Sequence, residues 1–405
     1  MIIFTSICSN YGHKARALAS SVKQYLPEAT FYVCLTEKEI PQALQEEKAF
    51  EHVVLSKDAW NGNFERFIFK HSIVEASTAV KAAFFQWLMD QYPEEDSFIY
   101  LDPDCYVYSD FVELKEKLKT RPIVLCPHLL HPGNLQMELS STMHGVYNLG
   151  FLALNNSAEA RRLIDWWAER LFMMCYDDIP HGIFTDQKWM ELAPCFFDVE
   201  IMHHDGYDFA PWALLDSSVE RKEDGWYIQG KPLRFMHFSG FGPTAEKCMD
   251  DWLGETNQEF RQLYAEYAKV HEECDYDHIS QTPWSYAYYE SGEKINDDLR
   301  KLYRQDKFFM DALENPFEIN NALIERHFQP QPVQPAEETQ QSEQLQEAQP
   351  QPDLPQEETV VTLPEKSSLG KKMKTARWVV QEFGISGIGR VLWEKITGKQ
   401  MGEKR

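Results

Sequence analysis

Residues 98–109 read FIYLDPDCYVYS: an apolar strand running directly into two carboxylates, Asp102 and Asp104, with one proline between them. Burying two such charges beside a strand costs several kcal/mol per charge unless something positive neutralises them. No basic residue lies within the stretch. In an extended segment, side chains at i and i+2 share one face, so the pair can point at one place where a strand ends. Pro103 cannot donate a ladder hydrogen bond, which suits a strand leaving its sheet. Carboxylate oxygens are hard ligands suited to Mg²⁺ or Mn²⁺. Two plainer readings compete. One is an Asp-Pro turn with an aspartate capping backbone amides. The other is a phosphohydrolase of the haloacid dehalogenase type, against which stand Tyr106 and the motif's distance from the N-terminus.

The segments around this stretch alternate between strand and helix. MIIFTSI, a helix over His13–Gln24 and TFYVCLT set a β-α-β rhythm with parallel strands. A helix is expected from Ser72 to Asp90, then the opening strand. Further apolar segments follow at IVLCPHLL, VYNLGFLAL and LRFMHFSG, with the tryptophan-rich helix AEARRLIDWWAERLFMMC between two of them. The fold class is therefore α/β. We expect a catalytic domain over 1–250 and a mostly helical extension packed on it over 251–326. Residues 327–368 hold seven Pro, ten Gln and eight acidic residues against one lysine. Such a composition buries too little apolar surface to fold, so this is a linker. Residues 369–405 reverse the sign, with nine Lys or Arg interleaved with Trp378, Phe383, Leu392 and Trp393. This basic amphipathic tail suits a peripheral membrane or partner-protein contact.

Residues 1–326 carry −23 of the formal −24, because the linker's −7 and the tail's +6 nearly cancel. That balance argues against nucleic acid as a partner, and a diphosphate ligand would need a local cation. Eight cysteines stand singly, with no C-x-x-C, as expected of thiols in a reducing compartment. MIIFTSICSN lacks the features of a signal peptide, and no run of about 18 apolar residues exists to span a bilayer. The expected location is cytoplasmic, with the inner membrane face reached through the tail.

FIYLDPDCYVYS, preceded by VEASTAVKAAFFQWL, is followed in order by GVYNLGFLAL (145–154), TDQKWMELAP (185–194), HHDGYDFAPWAL (203–214) and PLRFMHFSGF (232–241). Together these resemble the GT-A-fold (Rossmann-like) glycosyltransferases, and among them bacterial enzymes of the retaining glycogenin and galactosyltransferase type (family 8-like). The resemblance spans roughly residues 1–320. It implies a nucleotide-diphospho-sugar donor, a UDP-sugar first, and a glycan, lipid-linked or protein acceptor. Asp102, Asp104 and His237 would hold Mn²⁺ or Mg²⁺ on the donor diphosphate. Asp186 and Gln187 would flank the reacting sugar. Thr5, Asn10 and Tyr11 would receive the nucleotide, Lys81 the nucleotide or diphosphate, and Asn148 and Gly150 the donor sugar. Asp102 would also face the donor.

Each residue has an alternative reading on its own chemistry. His237 could be a hydrogen-bonded core histidine, Asn148 a turn residue, and Thr185 or Asp186 a helix N-cap. Lys81 could be a solvated helix lysine. The lysine that the family places shortly after the late histidine is absent from HFSGFGPT, and Ser9 stands where the family has an acidic residue. Diphosphate contacts would then come from Lys81, Arg66, or the amides of Gly240 and Gly242. His203, His204 and Asp205 read as acceptor-pocket or structural residues. A non-catalytic carbohydrate-binding or scaffold protein of the same fold is the competing functional class.

Overall fold

The computed structural model describes residues 1–133, 135–242, 245–247, 249–250 and 258–329. Nearly all of the expected linker and the whole basic tail lie outside the described residues. Strand β1 (Ile2–Ile7) is buried along its full length, Thr5 and Ser6 included, as a central parallel strand covered on both faces must be. It pairs in parallel with β2 (Thr30–Leu35) on one side and β4 (Ser97–Leu101) on the other. β3 (His52–Leu55) extends the sheet beyond β2. Beyond β4 lies β7 (Tyr147–Asn155), antiparallel to it, then β6 (Ile123–Pro127) and β8 (Val199–Ile201). The order across the seven strands is β8-β6-β7-β4-β1-β2-β3. This is the α/β class with a parallel-dominated sheet that the sequence implies, with one inserted antiparallel strand that the apolar pattern of VYNLGFLAL does not reveal.

Alternation along the strands splits the core between the two faces of the sheet. Phe4, Tyr32, Phe98 and Tyr100 pack on one face against α3 (Lys81–Gln91) and α4 (Ala158–Met174). Ile3, Val33, Ile99 and Leu101 face the other way onto α1 (Gly12–Tyr25). The helix expected over 72–90 is interrupted at Val80: α2 (Ile73–Ala79) opens with a Ser72–Glu75 capping box, and α3 starts at Lys81.

The segment after residue 257 adds to existing cores instead of making its own. Tyr267 of α5 (Gln258–Cys274) stacks on Phe238 with ring centroids 3.7 Å apart. Trp284, Tyr286, Tyr289, Tyr303 and Phe317 enter the same cluster as Phe4 and Phe85. Buried Arg300 ties them down by donating to the carbonyls of Phe69 (3.0 Å) and Tyr286. Helix Asn321–Phe328 runs two residues past position 326, and His327 pairs there with Asp306 at 2.9 Å.

Site-forming geometry follows from the strand order. β1 leads outward to β2 on one side, and the chain later returns to place β4 on the other, so the crevice between their carboxyl ends is a topological switch point. Open α/β sheets bind ligands at such points. A short ribbon closes the crevice: β5 (Cys105–Val107) pairs antiparallel with β9 (Phe235–His237), setting His237 opposite Cys105.

Replacing Arg300 with Met strands two buried carbonyls. We expect it to lower unfolding free energy by about 2–6 kcal/mol at roughly 1–3 kcal/mol per lost partner. In urea titrations, near-UV and far-UV transitions should shift together; separate transitions would mean that residues 258–329 fold as an independent unit.

Candidate active site

Asp102 and Asp104 do not lie in an extended segment. The Cys105 amide donates to the Asp102 carbonyl at 2.9 Å, so Asp-Pro-Asp is a tight turn between β4 and β5. The turn reading and the convergent-carboxylate reading therefore hold together. Both carboxylates turn toward His237, whose Nε2 lies 3.2 Å from Asp104 Oδ1 and 3.7 Å from Asp102 Oδ2. One ligand atom from each of the three residues lies within 4.8 Å of the others. Two hard carboxylates and an imidazole are a donor set that suits Mn²⁺ or Mg²⁺.

The imidazole is held in a tight slot. A Cβ on Gly150 would come within 2.4 Å of His237 Cε1 and Nδ1, so only glycine fits there. Asn148 Oδ1 takes the Gly150 amide at 3.0 Å, and its Nδ2 lies 3.1 Å from His237 Nδ1. Asp208 Oδ1 stands 3.4 Å from the same nitrogen. Burial disfavours the charged imidazole, yet Asp104 and Asp208 outweigh it and push its pKa well above the usual value. Burial also raises the Asp104 carboxyl, but Lys14 and His237 overcome that and hold it well below the ordinary carboxylate range. Asp208 has less compensation, and burial lifts it to about 6 against the opposing pull of His237.

Lys81 is not a solvated helix lysine. It is buried, donates to Asp102 Oδ1 at 3.2 Å and to the Leu149 carbonyl at 3.1 Å, and forms an ion pair with Asp186 Oδ2 at 2.9 Å. Tyr100 also donates its hydroxyl to Asp102 Oδ1. Burial opposes the charge on Lys81, but Asp102 and Asp186 raise its pKa. For Asp186 the balance tips the other way: burial raises its pKa in spite of Lys81.

Gln187 is fixed at both ends. Its Oε1 accepts the Leu149 amide at 3.0 Å and its Nε2 donates to the His144 carbonyl at 3.1 Å. Thr185 has a left-handed φ of 45°, and no side chain caps the helical turn that starts at Lys188, so the N-cap reading of Thr185 or Asp186 does not apply.

Asp102, Asp104, His237, Asp186 and Gln187 share one cavity of about 630 Å³ with Asn10, Tyr11, Lys81, Asn148 and Trp212 in its walls. Gly150 stands behind His237. Thr5 is sealed inside β1 with a hydroxyl that has no partner among the described residues, and neither it nor Gly240 lines the cavity. Arg66 is engaged elsewhere, with the Leu313 carbonyl and Glu314. The Gly242 amide is taken by the Tyr264 hydroxyl at 2.9 Å. His203, His204 and Asp205 sit in a loop past β8, not in a strand, where Asp205 pairs with Lys231 at 2.8 Å and His131 at 2.6 Å.

Two residues went unnoticed in the sequence. Lys14 lies 3.6 Å from Asp104 Oδ2 and 4.2 Å from the Tyr11 ring centroid, placing a cation beside the aspartate pair. Its i+3 spacing from Tyr11 at the start of α1 was the available signal. Asp208 lay inside the quoted HHDGYDFAPWAL segment, where composition favoured the histidines.

No family model matches the chain. It is 27% identical over 171 residues to the uncharacterized protein YfnD of Bacillus subtilis (strain 168), covering 42% of this chain and 54% of that protein. With the uncharacterized protein YfnF of the same strain the identity is 25% over 172 residues, covering 40% and 55%. The chain thus spans about half the length of the curated relatives it matches. Among solved structures it is similar to the galactosyltransferase LgtC in complex with donor and acceptor sugar analogs, at 16% identity and TM-score 0.43 over 67% of this chain and 96% of that one. A glycosyltransferase involved in glycosylation of the major capsid of PBCV-1 has 13% identity and TM-score 0.36, over 62% and 98%. Apo mouse xyloside xylosyltransferase 1 has 16% identity and TM-score 0.35, over 60% and 98%. With every TM-score below 0.5, these likenesses add no weight to the assignment.

Gly150→Ala drives a methyl group into the His237 ring and should displace it from Asp104. We expect Mn²⁺ affinity, read by electron paramagnetic resonance of free Mn²⁺, to fall about 10–100-fold, with circular dichroism unchanged. Undiminished affinity would remove His237 from the ligand set.

Proposed function

We propose that this protein is a glycosyltransferase moving a sugar from a nucleotide diphosphate to an acceptor hydroxyl, with a divalent cation held by Asp102, Asp104 and His237. One observation carries the reading: these three residues, the Lys81–Asp186 pair and Gln187 all border a single cavity at the switch point of the sheet. The cavity's size, about 630 Å³, falls in the range of small-molecule sites.

In this reading the nucleotide enters beside Asn10 and Tyr11, just past β1. Asn10 Oδ1 is buried without a partner among the described residues and can accept an N–H from the ligand. Lys14 faces the diphosphate, taking the place of the absent lysine after His237. When bound, the cation acts as a Lewis acid on the departing diphosphate. Lys81 pairs with Asp102 and Asp186 together, so its work is to hold the two carboxylates correctly aimed. Asp186 then accepts a hydroxyl of the donor sugar. Gln187, pinned by Leu149 and His144, presents a fixed amide at the reacting end. Retention at the anomeric carbon, a UDP-sugar donor and a role in cell-surface glycan synthesis complete the proposal, on the motif resemblance alone. The cytoplasmic location and the membrane or partner contact through 369–405 belong to it on composition. No described helix is long and apolar enough to cross a membrane.

Slow hydrolysis of a donor sugar by water tests the enzyme reading without knowledge of the acceptor. Across UDP-, GDP-, ADP-, CDP- and dTDP-sugars with Mn²⁺, at least one donor should be cleaved, and chelation should stop the reaction. Asp104→Asn should cut the rate by about 10²- to 10³-fold, the usual loss of one electrostatic stabiliser. A panel with no donor cleaved would favour a binding protein over an enzyme.

A further inference from the structure

Past β1 the chain turns through residues 8–11 before α1 begins at Gly12, and Cys8, Asn10 and Tyr11 of that turn line the cavity. Neither the turn nor α1 has a side-chain N-cap. Within the turn, the Tyr11 amide donates to the Cys8 carbonyl at 2.9 Å. From outside it is held by one side chain: the Ser9 amide donates to Glu37 Oε1 at 2.9 Å. Glu37 lies two residues past β2 and is only 3% exposed.

The other oxygen of Glu37 faces a distant part of the chain. Oε2 accepts the Ser285 amide at 2.8 Å and the Ser285 hydroxyl. Ser285 belongs to the segment after α5, which comes back across the end of β2. There Trp284 Nε1 donates to the Thr36 carbonyl at 2.9 Å, and the Ser285 hydroxyl accepts the Lys38 amide at 2.8 Å. Ile279 of the same segment lies 3.0 Å from where a Cβ on Gly12 would stand, so it packs against the start of α1. One buried carboxylate therefore links the returning segment to the turn. An ionised carboxylate accepts on both oxygens, whereas a glutamine would turn an N–H toward one of these donors.

We propose that Glu37 is a positioning residue for the nucleotide: through it, Ser285 fixes the turn that presents Asn10 and Tyr11 to the nucleoside. This rests on the nucleotide-diphosphate reading given above. Glu37 does not itself line the cavity. It raises affinity by keeping the turn in its binding shape, so that the nucleoside need not order it. The segment after α5 then belongs to the nucleotide site, although none of its described residues borders the cavity.

The test compares full-length wild type, Glu37→Gln, Ser285→Ala and the double variant by calorimetric titration, with circular dichroism to check the fold. The probes are Mn²⁺ alone, inorganic pyrophosphate with Mn²⁺, and UDP, GDP, ADP, CDP and dTDP with Mn²⁺. Pyrophosphate occupies the diphosphate position without touching the turn. Wild type should bind at least one of the five nucleotides more tightly than pyrophosphate. In Glu37→Gln that affinity should fall about 10-fold, the order expected of one hydrogen bond to a charged group, while Mn²⁺ and pyrophosphate bind as before. Ser285→Ala should show a smaller loss with the same selectivity, and should add nothing to Glu37→Gln, as members of one network do. Unchanged nucleotide affinity in Glu37→Gln overturns the proposal. An equal fall for all three kinds of probe also overturns it, because it marks a general structural defect. Additive losses in the double variant would detach Ser285 from the turn and overturn it as well. A wild type that binds none of the five nucleotides overturns the functional reading itself, and this proposal with it.

Discussion

Four carboxylates crowd the carboxyl ends of β1 and β4, and the site is organised around how their charge is balanced. Asp102, Asp104, Asp186 and Asp208 share two lysines and one imidazole among the described residues. Lys81 bridges Asp102 and Asp186, Lys14 stands by Asp104, and His237 lies between Asp104 and Asp208. Each unpaired buried carboxylate would cost several kcal/mol, so the arrangement is one cation short unless a carboxyl is protonated. A divalent ion between Asp102 and Asp104 would remove the deficit. The same ion would let a strongly acidic domain receive a diphosphate.

The scaffold supplies this constellation through a few backbone devices. The Asp-Pro-Asp turn swings both carboxylates out of the β4 direction. The β5–β9 ribbon brings residue 237 across about 130 positions of sequence to meet them. The bare face of Gly150 makes room for the imidazole. Lys81 sits at the first residue of α3, so the break at Val80 is also where the buried cation is placed.

Much of this was legible in the sequence, and the reasons are specific. A strand ending in D-x-D and a histidine ending a second apolar run are local signals, and both pointed to the cavity that the fold brings together. Asp186 and Gln187 were quoted as a pair and lie on the same cavity. What escaped notice depends on contacts distant in sequence. Lys14 looks like any helix lysine until α1 packs beside Asp104. Asp208 sits next to two histidines that drew attention by composition, and its importance comes from being buried against residue 237. Thr5 lies within β1, two residues short of its carboxyl end, and is buried there below the residues that line the cavity. The antiparallel direction of β7 is likewise invisible, since a buried strand reads the same in either direction.

The claim on which the rest stands is that cation and diphosphate occupy this cavity together. Calorimetric titration of UDP into the protein, with and without Mn²⁺, measures that coupling directly, and linkage requires each ligand to tighten the other by the same factor. Mn²⁺ should strengthen UDP binding and UDP should strengthen Mn²⁺ binding by one common factor, and both effects should vanish in Asp102→Asn. UDP binding of equal strength with and without Mn²⁺ would contradict it.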